Sequence, residues 1–209
     1  MKKIFFILSV LSSGVLFSQS DSQEKIELTF ATYNVSMESD NYSPKGAMGK
    51  SEQILIYQLN SGNNNQIRNI AQIIQTVRPD VILLNEFDYI KDPEIGVKAF
   101  IKNYLNVSQG GATAIDYPYY YYSTVNTGQP SPYDLNNDGK FDNFGNDAWA
   151  FGMYPGQYGM MLLSKYPIDV KAVRTFQNFK WKDMPGALFT KKADGSDWYN
   201  KKAWKEFPL

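Results

Sequence analysis

A carboxylate stands close to the end of an apolar run in the stretch RPDVILLNEFD, residues 78–88. The run from Val81 to Leu84 is typical of a strand buried on both faces, and Glu86 follows it two residues later. Open α/β sheets bind their ligands at the carboxyl ends of strands. Glu86 is therefore a candidate metal ligand, and the alternatives are a solvated strand end or an ion pair with Arg78.

Asn34 lies at the corresponding end of the first strand that the sequence predicts, within IELTFATYNVS at residues 26–36. Apolar side chains alternate along that stretch, which indicates a strand. If the two strands are neighbours, the Asn34 amide and the Glu86 carboxylate converge at one edge of the sheet. Mg²⁺ prefers oxygen ligands and binds few protein groups, because water and substrate phosphate complete its coordination. One glutamate oriented by one asparagine would be a minimal site for this cation.

A second group of oxygen-bearing side chains lies in DLNNDGKFDNFGND, residues 134–147. Positions 1, 3, 5, 6 and 9 of an EF-hand-like calcium loop are filled by Asp134, Asn136, Asp138, Gly139 and Asp142. Position 12, where a bidentate glutamate belongs, is Gly145, and no helices are predicted on either side. The pattern favours an Asn-Asp-Gly turn in a polar loop, and a structural Ca²⁺ ion is the alternative.

Two further motifs invite functional interpretations that the residues themselves argue against. GAMGKS at residues 46–51 lacks the first glycine of a phosphate-binding loop, because Pro44 stands at that position. YPYYYY at residues 117–122 could stack sugars or nucleic-acid bases. A strand with alternate rings in the core is the favoured interpretation of that tract.

The elements around these residues alternate between helix and strand, which favours an α/β fold. Apolar residues at helical spacing predict a helix between residues 63 and 79, with asparagines to cap it and Pro79 to end it. Another helix is predicted over residues 92–106 and another buried strand over residues 158–168. Residues 37–65 are predicted as a loop around the apolar ILIYQL, and the C-terminal part as strand and loop.

Composition excludes several kinds of active site. The chain has no cysteine and no histidine, which rules out disulfides, thiolate nucleophiles, a Ser-His-Asp triad and histidine-bound zinc within these 209 residues. Lysine plus arginine equals aspartate plus glutamate at 21 each, so there is no overall basic field for nucleic acid. Hydrophobic residues make up 43% and charged residues 20%, as in a soluble globular protein.

The N-terminus has the features of a secretory signal peptide. Two lysines precede an apolar run from Ile4 to Phe17, and small residues follow it before Asp21. The run is shorter than the ~20 residues that a membrane-spanning helix needs. We therefore expect residues 1–20 to be a signal peptide, no transmembrane segment, and export to the periplasm or the exterior.

The succession of ATYNVS, an amphipathic helix, RPDVILLNEFD and GQYGMMLLSKYPI resembles the endonuclease/exonuclease/phosphatase superfamily, in particular its exported bacterial members. The resemblance covers Ile26 to Ile168. It implies a four-layer α/β sandwich of two mixed sheets flanked by helices, in which Asn34 and Glu86 surround a catalytic Mg²⁺ or Mn²⁺. It also implies hydrolysis of a phosphate ester, which could be nucleic acid, a phospholipid head group or a sugar phosphate.

The chain departs from the family pattern in its second half. The family also uses an active-site histidine, a Gly-Asp-x-Asn motif and a terminal Asp-His pair, and the sequence after Ile168 contains none of these. We therefore expect residues 21–209 to form a C-terminally incomplete, monomeric domain that holds the N-terminal half of the fold and is inactive alone. The alternative is a non-catalytic exported protein that binds glycan or Ca²⁺ through its tyrosine-rich and Asp/Asn-rich loops.

Overall fold

One four-stranded mixed sheet organises the part of the chain that the computed structural model describes, residues 26–44 and 51–208. Its strands are β1 (Phe30–Met37), β2 (Val81–Phe87), β3 (Tyr119–Tyr122) and β4 (Met160–Ser164). Their order across the sheet is β1-β2-β4-β3, with β1 parallel to β2 and the other pairs antiparallel. The predicted signal peptide lies outside the described residues, as does most of GAMGKS.

The crossover between β1 and β2 contains two helices, α1 (Gln53–Ser61) and α2 (Asn65–Val77). The Asn64 side chain caps α2 by accepting hydrogen bonds from two backbone N–H groups of its first turn. Arg78 ends the helix in the left-handed conformation, at φ 53°. The predicted helix, the buried strand after it and the α/β class are confirmed.

Helix α1 corrects the prediction that residues 37–65 are a loop. Leu55 and Leu59 lie four residues apart on one side of it and are fully buried. Gly62 follows in the left-handed conformation at φ 64°, which ends the helix. Burial of Leu55 and Leu59 against the core stabilises this helix, whereas the unbroken apolar run from Ile54 to Tyr57 shows no helical periodicity in the sequence.

The helix predicted over residues 92–106 is shorter than expected. It consists of α3 (Val97–Phe100) and a π-helical turn that continues it (Ile101–Leu105). The Asp92 carboxylate accepts a hydrogen bond from the Glu94 N–H at 2.9 Å. This local bond stabilises a turn before the helix, so the helix begins later than the pattern predicts.

The C-terminal part contains a helix where strand and loop were predicted. Helix α4 (Lys201–Glu206) begins after Asn200, whose side chain accepts hydrogen bonds from two backbone N–H groups. Its Trp204 packs against Trp181 with ring centroids 5.3 Å apart. Short 3₁₀ helices lie at Ser39–Tyr42, Val170–Ala172 and Trp181–Asp183. Among the described residues, no helix has the length and apolar character needed to cross a membrane.

The two faces of the sheet have different surroundings. Side chains on one face share a core with helices α1, α2 and α3, and these include Ile82, Leu84 and Leu163. The opposite face, which we call the outward face, carries one row of side chains across the four strands: Thr32, Leu83, Leu162 and Tyr121. On this face Phe30 is 69% exposed and Met160 is 51% exposed. The outward face is therefore partly apolar and open.

Strand β1 begins at Phe30, later than the sequence pattern indicates. Ile26 is 76% exposed, whereas Val35 and Met37 are buried. The alternating apolar residues Ile26, Leu28 and Phe30 are therefore exposed, and they do not belong to the face of the sheet that packs against the helices.

The tyrosine tract forms β3, as its favoured interpretation predicted. Tyr120 and Tyr122 pack against the core, and their ring centroids are 6.1 Å apart. Tyr117, just before the strand, is buried and donates its hydroxyl hydrogen to the Pro79 carbonyl at 2.8 Å. The strand interpretation with alternate rings on the core is confirmed.

Candidate functional site

Asn34 and Glu86 lie at the same edge of the sheet. Strands β1 and β2 are parallel neighbours, and Asn34 pairs in register with Asn85, the residue before Glu86. The pairing becomes irregular after Asn34 and resumes between Met37 and Phe87. The predicted adjacency of the two strands is therefore confirmed, and we call the edge where the amide and the carboxylate stand the strand-end site.

Unusual backbone conformations mark both strands at this edge. Ser36 and Glu86 adopt left-handed angles, with φ of 46° and 57°. Such angles are uncommon for residues other than glycine, and they persist where the surrounding contacts enforce them. Backbone strain of this kind clusters at binding and catalytic sites, which supports the strand-end site as a candidate.

Ser36 connects the two predicted site residues. Its backbone N–H donates to Asn34 Oδ1 at 3.0 Å, and its hydroxyl lies 3.4 Å from both Asn34 Oδ1 and Glu86 Oε2. The Ser36 carbonyl accepts a hydrogen bond from the side-chain amide of Asn41 at 2.6 Å. Asn34 is exposed and Glu86 is half-buried, so solvent reaches both polar groups. Sequence reasoning did not identify Ser36.

The alternative ion pair between Glu86 and Arg78 does not form. The Arg78 guanidinium donates hydrogen bonds to the carbonyl oxygens of Thr113 and Ala114, at 3.0 and 3.4 Å. Arg78 precedes β2, whereas Glu86 stands near the far end of that strand. This arginine therefore does not neutralise the Glu86 carboxylate.

Asp88 is a buried carboxylate beside the strand-end site, with 1% of its surface exposed. Its Oδ2 accepts hydrogen bonds from the Tyr154 hydroxyl at 2.6 Å and from the Ser39 N–H at 2.9 Å. Its Oδ1 accepts from the Tyr158 N–H at 3.2 Å. Burial raises the pKa of Asp88 to about 7, although these hydrogen bonds act in the opposite direction. Asp88 thus joins the segment after β1 to the segment before β4.

Gln157 forms a second bridge between the same two segments. Its Nε2 group donates to Glu38 Oε2 at 3.1 Å and to Asp40 Oδ2 at 3.0 Å. Its Oε1 accepts from the Met153 N–H at 2.6 Å. Gln157 and Glu38 are buried and lie 119 positions apart in the chain. Sequence reasoning missed this bridge because no local pattern links residues so far apart.

Gly159 lets the segment before β4 approach the end of β2. A Cβ atom at this position would lie 2.6 Å from the Phe87 carbonyl oxygen, which is closer than real contacts allow. The Phe87 N–H donates to the Gly159 carbonyl at 3.1 Å. A side chain at residue 159 would therefore push this segment away from the strand-end site.

The oxygen donors of the strand-end site fit a hard divalent cation. In the described parts of the chain, no three or more Asp, Glu, His or Cys residues form a group that could hold a metal ion. Mg²⁺ does not require such a group, since one or two carboxylates usually bind it and water fills the remaining positions. The Glu86 carboxylate and the Asn34 amide oxygen are suitable donors. Their roles as metal ligands stay predictions.

The predicted calcium loop forms local turns. The Gly139 N–H donates to Asp134 Oδ2 at 3.0 Å, and the Lys140 N–H donates to Asp138 Oδ1 at 2.8 Å. The Asn136 side-chain amide donates to Asp138 Oδ2 at 3.0 Å. These local bonds are those of an Asn-Asp-Gly turn, and the choice between a turn alone and a loop with a bound Ca²⁺ ion stays a prediction.

Comparison with known proteins identifies a family. The sequence model of the Endonuclease/Exonuclease/phosphatase family matches residues 31–205, a range that includes Asn34, Glu86 and the two segments that Asp88 and Gln157 join. No curated protein and no solved structure matches the chain. Since the family match extends over most of the chain, it does not rest on the short strand-end motifs alone.

Proposed function

The chain belongs to the Endonuclease/Exonuclease/phosphatase family, and we propose that it forms the metal-holding part of a phosphoester hydrolase. Members of this family are hydrolases that act on phosphoesters. The observation that carries the proposal is the meeting of Asn34 and Glu86 at the ends of two parallel strands, where Ser36 joins them. Ligand sites of open α/β sheets lie at such strand ends.

Glu86 and Asn34 would have separate roles in this reaction. The Glu86 carboxylate would bind a divalent cation, Mg²⁺ or Mn²⁺. When bound, that cation supplies a Lewis acid for the phosphate group and stabilises charge on the leaving oxygen. Asn34 Oδ1 accepts a hydrogen bond from the Ser36 N–H, and its second lone pair is open to the cation when the Ser36 hydroxyl donates to Glu86 Oε2 instead. The amide N–H groups of Asn34 would orient a phosphate oxygen.

The residues that activate water would come from outside this chain. The 209 residues contain no histidine, so the Asp-His pair that the family resemblance implies is not among them. The outward face is suited to pack against a second sheet, because Phe30 and Met160 expose 69% and 51% of their surface there. A second sheet on this face would complete the four-layer sandwich of two mixed sheets.

The proposed substrate class follows from the chemistry of the strand-end site. A divalent cation with amide donors recognises the phosphate group itself, which nucleic acids, phospholipid head groups and sugar phosphates share. The equal numbers of basic and acidic residues, 21 each, support binding of a single phosphate group rather than binding along a nucleic-acid strand. We also propose export to the periplasm or the exterior, which the lysines and the apolar run before Asp21 support.

Substitution of Glu86 tests the proposed site. In a protein where the histidine–aspartate half accompanies this chain, Glu86→Gln should lower Mg²⁺-dependent hydrolysis of bis-p-nitrophenyl phosphate by about 10³-fold, because transition-state charge stabilisation is lost. Glutamine keeps the size of the side chain and removes its charge. The absorbance of released p-nitrophenolate measures the rate in the presence of Mg²⁺, Mn²⁺ or a chelator.

Asp138→Asn is the matched control for this experiment. It also removes one carboxylate charge, but from the loop of residues 134–147, where Asp138 takes part in a local turn. The control variant should hydrolyse the diester at the unsubstituted rate. Undiminished hydrolysis by Glu86→Gln, or equal losses in the two variants, would refute the proposed site.

A further inference from the structure

A polar cleft is formed by two cavities that share Thr124 and Gln129 in their walls. The larger cavity has a volume of about 540 Å³, and the smaller one about 230 Å³. The larger lies within the range of roughly 300–1,000 Å³ that is typical of small-molecule sites. We call the two together the amide cleft. None of the residues that define the strand-end site lines it.

Side-chain amides dominate the larger cavity of the amide cleft, where Gln129, Gln177 and Asn178 are accompanied by Thr124. Each amide can both donate and accept hydrogen bonds, as each hydroxyl group of a sugar can. The Thr124 hydroxyl donates to Gln177 Oε1 at 3.1 Å, and Asn126 Nδ2 donates to the Gln177 carbonyl at 3.0 Å. These bonds hold Gln177 in place before any ligand binds, which lowers the entropic cost of binding.

Aromatic side chains stand in both cavities. Trp149, half-buried in the wall of the larger cavity, makes edge-to-face contacts with Tyr133 at 5.9 Å and Phe207 at 5.6 Å. In the smaller cavity, Tyr89 packs against Tyr122 with ring centroids 5.7 Å apart. These neighbours fix the orientation of both rings. A rigid aromatic side chain offers an apolar surface to the C–H groups of a sugar ring at low entropic cost.

The charges of the amide cleft are balanced. Lys180 and Glu206 line the larger cavity, and Lys91 and Glu52 line the smaller one. Nucleic-acid sites need an excess of basic residues, because phosphate contacts supply most of their affinity. One lysine and one glutamate in each cavity provide no such excess. The cleft is therefore better suited to an uncharged ligand than to a polyanion.

We propose that the amide cleft binds a neutral oligosaccharide, with sugar hydroxyls on the amides of Gln129 and Asn178 and a sugar ring against Trp149. Because the two cavities share walls, a ligand of several rings would contact both Trp149 and Tyr89. This site differs from the tyrosine tract that the sequence offered for sugar stacking, since Tyr120 and Tyr122 pack on the core. It requires neither a metal nor Glu86.

Calorimetric titration of the whole chain tests the proposal. The probes are four neutral hexasaccharides (cellohexaose, xylohexaose, mannohexaose and maltohexaose) and a twelve-nucleotide oligo(dT). At least one hexasaccharide should bind, and Gln129→Ala and Asn178→Ala should each weaken that binding about threefold to tenfold, because each removes side-chain hydrogen bonds. Gln72→Ala, on α2 and outside the walls of the cleft, is the matched control and should bind as the unsubstituted chain does.

Three results would overturn the proposal: no hexasaccharide binds at millimolar concentration, the Gln129→Ala/Asn178→Ala double variant binds as tightly as the unsubstituted chain, or only oligo(dT) binds. A chelator and Glu86→Gln should leave sugar binding unchanged. Failure of the amide cleft is therefore distinguishable from failure of the metal site. Melting temperatures of all variants, followed by circular dichroism, show that each variant is folded.

Discussion

Asp88, beside the strand-end site, and Asp138, in the loop of residues 134–147, are acidic side chains that are held in different ways. Asp88 accepts hydrogen bonds from residues 49, 66 and 70 positions away. Asp138 accepts its hydrogen bonds from residues two positions away. Burial raises the pKa of Asp88, whereas the hydrogen bond from Asn136 lowers the pKa of the exposed Asp138.

This difference separates a carboxylate that the tertiary fold holds in place from one that belongs to a surface turn. Distant partners fix a carboxylate relative to the rest of the fold, and such fixed groups can stabilise charge without reorganising. Local partners shape only the loop that contains them. Two aspartates can therefore differ in function although they are the same residue type. The one that distant partners fix is better suited to a functional site than the one in a local turn.

The largest effect on stability that the comparison predicts is a pH dependence due to Asp88. Burial raises its pKa from 3.8 to about 7, so the folded protein binds this proton more tightly than the unfolded chain does. The free energy of unfolding of the metal-free protein should therefore decrease as pH rises from about 4 to about 7, by on the order of 4 kcal/mol at about 1.4 kcal/mol per pH unit. Urea unfolding across this pH range measures the decrease.

Asp88→Asn supplies the control for this pH dependence. The amide does not titrate, so the difference in unfolding free energy between the two proteins should change across the same pH range. If the free energies of unfolding of the unsubstituted protein and Asp88→Asn change with pH in parallel, burial of Asp88 does not cause the pH dependence. Asp88 and Asp138 would then not differ in the way proposed above.

A smaller effect is expected from the distant partner of Asp88. Tyr154→Phe removes the hydroxyl that donates to Asp88 Oδ2 at 2.6 Å and accepts from the Ser39 N–H at 3.1 Å. We expect a loss of about 1–2 kcal/mol in the free energy of unfolding, because the Ser39 N–H keeps its other acceptor on Asp88. Urea unfolding at pH 8 measures the loss. A change below about 0.3 kcal/mol would mean that the bridge contributes little.

The smallest effect should come from the loop. Asp138→Ala removes hydrogen bonds with Asn136 and Lys140 on the surface, and surface changes of this kind usually fall within about 0.5 kcal/mol. The same urea unfolding experiment measures it, with and without Ca²⁺. If Ca²⁺ strongly stabilises the unsubstituted protein and Asp138→Ala abolishes that stabilisation, the calcium alternative is favoured. The loop of residues 134–147, and not a turn alone, would then be a functional site.

Local patterns account for the elements that were predicted correctly. The helix Asn65–Val77 and the strand Val81–Phe87 have signals within their own length, namely a capping asparagine, isoleucines at helical spacing and an unbroken apolar run. Helix Gln53–Ser61 is harder to predict, because Leu55 stands in the unbroken apolar run Ile54–Tyr57, which has no helical periodicity. Gly62 after it was a usable signal for its end.

Several contacts that shape the candidate site join distant parts of the chain, which is why the sequence does not predict them. Asn34 and Glu86 were identified by their positions at strand ends, but Ser36 is 50 positions away from Glu86. Tyr154 and Gln157 lie between β3 and β4, in a segment without helix or strand and hence without a periodic pattern. Their pairing with Asp88 and Glu38 depends on the tertiary fold.

Manganese binding to the chain tests the central claim most directly, because it requires neither turnover nor a histidine. Electron paramagnetic resonance follows the loss of free Mn²⁺ signal as protein is added. We expect the unsubstituted chain and Asp138→Asn to bind Mn²⁺ alike, whereas Glu86→Gln should bind it at least about tenfold more weakly. Equal binding by Glu86→Gln and the unsubstituted chain, or loss of binding only in Asp138→Asn, would contradict the claim that the strand-end site holds the metal.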